Sequence, residues 1–217
     1  VSADPHTAPH WGSSALVLID VQNDFLTESP YGIPGTTAVL PALRELCEAF
    51  RAARRPIVHI IRLYLPDGSN ADISRRTLIA SGAAIVNPGT AGRDIAEGLL
   101  PAGAPQIDDT QLLSGKPQAL GSNEYAVFKP RWGAFYQTPL QELLTEHGVD
   151  TIVFAGCNLP NCPRASIIEA SERDYRTVLA SDAVSNSTAQ GLQEISGIGT
   201  QLIPTAGIIT ALSKASQ

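Results

Sequence analysis

The sequence predicts an α/β fold, three layers doubly wound around a mostly parallel sheet. Two observations carry the prediction. The strand-like runs Ala15–Ile19, Ile57–Ile61 and Thr151–Ala155 are almost continuously apolar, the pattern of strands buried on both faces. Between them lie segments with apolar residues at helical spacing, so strand and helix alternate along the chain. A chain of 217 residues suits one domain with a sizeable core. We therefore expect an N-terminal arm over 1–13 and a single domain over 14–217.

Taken in order, residues 1–13 hold Pro5, Pro9, His6 and His10 and read as a loose, solvated arm, because the prolines oppose a helix that would pair the histidines. The first strand runs from Ala15 and ends on a carboxylate, Asp20. Residues 26–36 are a Pro/Gly loop, and Thr37 can cap a helix over about 38–53, with Leu40, Leu43, Leu46 and Phe50 on one face. Ile57–Ile61 is the second strand, and His59 within it reads as a hydrogen-bonded core histidine. Residues 63–124 are irregular, with short helices expected over 73–80 and 93–100. Tyr125–Phe128 is the third strand, and Lys129 ends it. A helix over 140–147 stops at Gly148. The fourth strand, 151–155, leads through a short turn to Cys162 and a helix over 165–175. A fifth strand over 176–181, a helix capped by Ser187, a sixth strand over 201–204 and a helix over 208–214 close the chain.

Composition narrows the partners. With 15 Lys and Arg against 21 Asp and Glu, the net charge is −6 and no basic stripe exists, which argues against nucleic acid and against an anionic membrane surface. No apolar run approaches the ~20 residues of a membrane span. Three cysteines are too few for a disulfide framework and suit a reducing compartment, so a cytoplasmic location is expected.

Three strands end on reactive side chains: Asp20, Lys129 and the turn that delivers Cys162. If the strands wind outward from the first, strands one and four are neighbours where the winding reverses, and one crevice holds all three residues. Taken singly, Asp20 is a turn former, Lys129 a surface lysine and Cys162 an inert buried thiol. Together they can make a nucleophile. The start of a helix favours thiolate, a carboxylate can take the thiol proton, and lysine can hold that carboxylate.

With these residues in view, the chain resembles the isochorismatase-like cysteine hydrolases. The matching stretches are Leu18–Phe25 (Leu-Ile-Asp-Val-Gln-Asn-Asp-Phe), Phe128–Phe135 (Phe-Lys-Pro-Arg-Trp-Gly-Ala-Phe), Gly156 with Cys162 six residues on, and Ser181–Ser185. The resemblance implies a six-stranded parallel sheet in the order 3-2-1-4-5-6. It also implies a triad of Cys162, Asp20 and Lys129, a cis peptide at Cys157–Asn158, and an oxyanion hole from the backbone N–H groups of Asn158 and Cys162. Nicotinamidases of the family carry an Asp-x-His metal pattern after the second strand. Here that place reads Arg62-Leu-Tyr-Leu-Pro-Asp, so neither a metal nor any other cofactor is expected.

The implied activity is hydrolysis of a small amide, carbamoyl or lactam C–N bond through a thioester, with a homo-oligomer, dimer or tetramer, as the assembled form. Phe25, Tyr64, Trp132 and Phe135 are candidates for pocket walls. Arg131 or Arg164 could meet a substrate carboxylate or a structural acid such as Asp24. A rival reading makes Cys157 and Cys162 a redox-sensing pair, and another makes the chain an inactive interaction module.

Overall fold

The structure, a computed structural model, describes residues 4–215. Its sheet has seven strands: β1 (Ser14–Ile19), β2 (Ile57–Ile61), β3 (Gln118–Gly121), β4 (Glu124–Phe128), β5 (Thr151–Gly156), β6 (Arg176–Val184) and β7 (Gln201–Ile203), in the order β3-β4-β2-β1-β5-β6-β7. Six are parallel, as expected, and the seventh, β3, is an antiparallel edge strand. The sequence reading missed β3 because four residues give too little alternation, with only Leu120 as an inward apolar side chain.

Each central strand is buried on both sides, which explains the unbroken apolar runs. Leu16 and Leu18 of β1 face one layer, where α1 (Leu40–Ala52) contributes Leu43, Leu46 and Phe50 and the last helix contributes Ile208. Ala15, Val17 and Ile19 face the other layer, packed on Leu140, Leu144, Ile167 and Ile195. The remaining helices are α2 (Ile73–Ala80), α3 (Asp109–Leu113), α4 (Leu140–Glu146), α5 (Cys162–Ser171), α6 (Ala189–Ser196) and α7 (Thr205–Ala215). His59 is a core histidine, its Nε2 2.7 Å from Glu124 Oε1.

Three expectations need correction. The helix over 93–100 does not form: a 3-10 turn ends at Arg93, and Ile95 bridges Gln22 instead. Asn23 N–H donates to Asp94 O and Ala96 N–H to Val21 O, so this segment spends its backbone bonds fixing the loop after β1. The arm is docked over its described part, residues 4–13. His10 Nδ1 lies 2.6 Å from Asp150, and Trp11 packs on the core. The third correction concerns α6, which Thr188 caps, not Ser187: its hydroxyl accepts from Gly191 N–H.

Candidate active site

β1 and β5 lie side by side, with Ile19 paired to Gly156, and both run out into the same crevice. Gly156 permits that closeness. Its φ is +115°, and a Cβ there would stand 2.4 Å from Ile19 O. The chain then turns through Cys157 and Asn158, whose peptide bond is cis. The end of β6 supports this turn: Ser185 N–H donates to Gly156 O, and Leu159 N–H donates to Ser185 O. Cys162 enters α5 at its first position, three residues earlier than the expected start. Among the described residues the backbone N–H groups of Asn158 and Cys162 meet no protein acceptor.

Asp20 follows β1 at φ +53°, a left-handed conformation that few side chains other than Asn and Asp tolerate. Its carboxylate is almost fully buried and is divided in use. Oδ2 accepts from Lys129 Nζ at 2.9 Å, while the buried Oδ1 has no partner. Lys129, 0% exposed, also donates to Arg131 O at 3.2 Å. A buried ion pair of this kind survives only with such close geometry.

A second buried pair, which the sequence reading did not anticipate, also reaches the thiol. Arg62 continues β2 and is buried; Nη1 donates to both oxygens of Asp72, at 3.2 and 3.0 Å. Nη2 donates to Cys162 Sγ at 3.7 Å. Tyr64 Oη donates to Asp72 Oδ2 at 2.9 Å and completes the brace. Gln22 holds the Arg62 backbone on both sides, accepting from its N–H at 2.7 Å and donating to its C=O at 2.9 Å. Burial opposes the guanidinium charge, but the carboxylates of Asp20 and Asp72 outweigh it and hold the group firmly protonated. The sequence offered one signal for Arg62: a charged residue ending a buried strand, as at the other two strand ends.

The thiol differs from expectation. The start of a helix predicted a lowered Cys162, but burial raises it, the neighbouring Asp20 charge raises it further, and Lys129 and Arg62 offset only part. These surroundings favour the thiol over the thiolate. Cys47 and Cys157 are pushed by burial to about 12. All three cysteines are free, and Cys157 Sγ accepts a hydrogen bond from the Thr36 hydroxyl at 3.4 Å.

The crevice is lined by Asp20, Arg62, Asn158 and Cys162, with Phe25, Tyr64 and Trp132 among the walls and Arg75 at one side. The cavity is narrow, about 30 Å³, so a substrate must displace side chains at the mouth. Trp132, 43% exposed, stands there. One expected wall residue, Phe135, and both arginines expected to meet a carboxylate lie elsewhere. Phe135 is packed between Tyr175 and the Arg173 guanidinium, which sits 4.9 Å from its ring centre. Arg131 donates to Asn70 O and Pro130 O and lines an outer groove with Ile73 and Tyr136. Arg164 pairs with Glu194 at 2.6 Å on the surface, and Asp24 accepts from Val86 N–H. Among the described residues no group of three or more His, Cys, Asp or Glu side chains could hold a metal, and no helix is long and apolar enough to cross a membrane.

A doubly wound sheet with a thiol at its switch point, facing a buried carboxylate and lysine, defines a class of α/β protein built like the cysteine hydrolases. The chain belongs to the isochorismatase family, whose domain model matches residues 14–203. An isochorismatase family protein from Desulfovibrio vulgaris is 30% identical in sequence, with a TM-score of 0.78 over 93% of this chain and 98% of that one. A "probable inactive nicotinamidase" of Arabidopsis thaliana is 27% identical over 87% of this chain and 86% of its own length. Maleamate amidohydrolase of Pseudomonas putida is 29% identical over 78% of this chain and 71% of its own.

Proposed function

We propose that this protein hydrolyses a small, non-peptide amide, carbamoyl or lactam C–N bond through a thioester on Cys162. The observation that carries this reading is the divided carboxylate of Asp20. Lys129 fixes one oxygen, and the buried, unpartnered Oδ1 is free to accept a proton beside a raised thiol. Asp20 takes the Cys162 proton as sulfur attacks the carbonyl carbon. The oxyanion that forms is met by the N–H groups of Asn158 and Cys162. The C–N bond then breaks, and Asp20 returns the proton to the leaving nitrogen. Water attacks the thioester and gives its proton to Asp20, the acid product departs, and the sulfur regains the proton. The amidohydrolase relative from Pseudomonas putida supports the reaction class, and the relative named inactive makes a direct assay the necessary test.

The test is ammonia or amine release from a panel of small amides and ureides, with mass spectrometry for lactam opening, comparing wild type with Cys162→Ala. Turnover by wild type alone is expected; turnover by neither refutes the reading. The redox alternative has less support, because Cys157 packs against Thr36 with its thiol pushed to about 12. A cytoplasmic homo-oligomer remains part of the proposal, its assembly read by sedimentation and its compartment by cell fractionation.

A further inference from the structure

The charges around the crevice do not cancel. Lys129 is paired with Asp20, and Arg62 is paired with Asp72. Arg75 is the remaining ionised side chain in the lining, and among the described residues no acceptor or acid meets its guanidinium. It is half-buried, in the first turn of α2, and the backbone C=O of Asp72 accepts its N–H. Asp72 is the residue that Arg62 and Tyr64 clamp, so the brace that sets the guanidinium of Arg62 at the thiol also sets the start of α2 and hence Arg75. Its neighbour Arg76 turns away, its Nε donating to Ala71 O, and lines the outer groove. With Cys162 as a neutral thiol, the closed crevice carries one uncompensated positive charge.

We propose that Arg75 binds a carboxylate of the substrate, so that the molecule hydrolysed is a small monoanion bearing both a carboxylate and the amide or ureido group. This rests on the hydrolase reading and narrows its substrate class. The two negative side chains in and behind the crevice are already used, so an incoming carboxylate faces one free cation and no free acid on that side. Guanidinium is the fit partner for a carboxylate because its forked N–H groups match both oxygens. The walls beside it, Phe25, Tyr64 and Trp132, exclude water and strengthen the pairing. The arginines that the sequence suggested for this role, Arg131 and Arg164, are committed elsewhere.

The test uses alkylation of Cys162 by two reagents of nearly equal size, the anion iodoacetate and the neutral iodoacetamide. In each the sulfur forms an S–C bond and iodide leaves. Peptide mass mapping assigns the label to Cys162. The rate ratio of iodoacetate to iodoacetamide is expected to fall by about tenfold in Arg75→Gln, to recover most of that in Arg75→Lys, and to stay at the wild-type value in Arg76→Gln. Recovery by lysine separates charge from shape. An unchanged ratio in Arg75→Gln overturns the proposal, as does equal slowing with both reagents. A Cys162 inert to both also overturns it, because a crevice that admits an amide-bearing acid admits the smaller reagent. The measurement needs no turnover. A silent amide panel therefore fails the hydrolase reading separately, and an unchanged ratio fails the carboxylate alone.

Discussion

Arg62 reaches Cys162 Sγ with one end of its guanidinium, at 3.7 Å, while the other end grips both oxygens of Asp72. The cation therefore cannot swing away from the sulfur without breaking a buried pair. Replacing it by methionine, Arg62→Met, removes a charge that favours thiolate, so the pH midpoint of Cys162 alkylation is expected to move further up. If the midpoint shifts by about one unit, alkylation near neutrality slows about tenfold. A midpoint that stays in place would mean that Arg62 serves only to hold Asp72.

Asp20 acts on the same sulfur in the opposite sense, and this gives an unusual pair of signs. Asp20→Asn removes the proposed proton acceptor, so turnover should fall by roughly 10²- to 10⁴-fold, the usual contribution of a positioned base. Yet the variant also removes a negative charge that raises the thiol, so the alkylation midpoint should drop. A cysteine more reactive to iodoacetamide in a less active enzyme is the outcome to look for. A midpoint that rises refutes the arrangement.

The Lys129–Asp20 pair predicts strong coupling in stability. Lys129→Met alone leaves a buried carboxylate without its counter-ion and should cost about 3–5 kcal/mol in urea unfolding. Adding Asp20→Asn removes that stranded charge, so the double variant should be more stable than Lys129→Met alone. Simple additivity would show that water reaches the pair.

Alkaline pH should unfold the protein through its cysteines. Cys47 and Cys157 stay protonated in the fold until about 12, whereas a thiol in the unfolded chain ionises near 9. Each raised thiol thus contributes stability that is fully present below pH 9 and is lost as pH rises toward 12. Cys47→Ala should flatten the fall in urea midpoint across that interval, even though the cavity lowers stability at neutral pH. An unchanged slope would assign the alkaline loss to other groups.

Most of the fold was legible because burial on both faces writes itself into β1, β2 and β5 as unbroken apolar runs. The three strand ends were legible for a related reason: an ionisable side chain directly after such a run needs a partner, and the switch point supplies one. What stayed hidden depended on distant pairing. Arg93 to Leu100 has the spacing of a helix, but its backbone bonds go to Val21 and Asn23, which no local pattern encodes. Arg62 and Asp72 lie ten residues apart and look like two surface charges until the chain after β2 brings Asp72 back to the guanidinium. Phe135 and Arg131 sit beside Lys129 in sequence, yet the bend after Pro130 sends them to other surroundings. The raised thiol was missed because helix position is local and desolvation is not.

The two ends of the sheet have a consequence for solubility. The parallel core is strongly apolar, and a long bare strand at either margin would invite a neighbouring molecule to add on by main-chain hydrogen bonds. Here β7 presents only three residues. The opposite margin, β3, has four, and its register slips between Ala119 and Gly121. Neither margin is long or regular enough to seed fibril-like growth, so a concentrated solution should resist aggregation by that route.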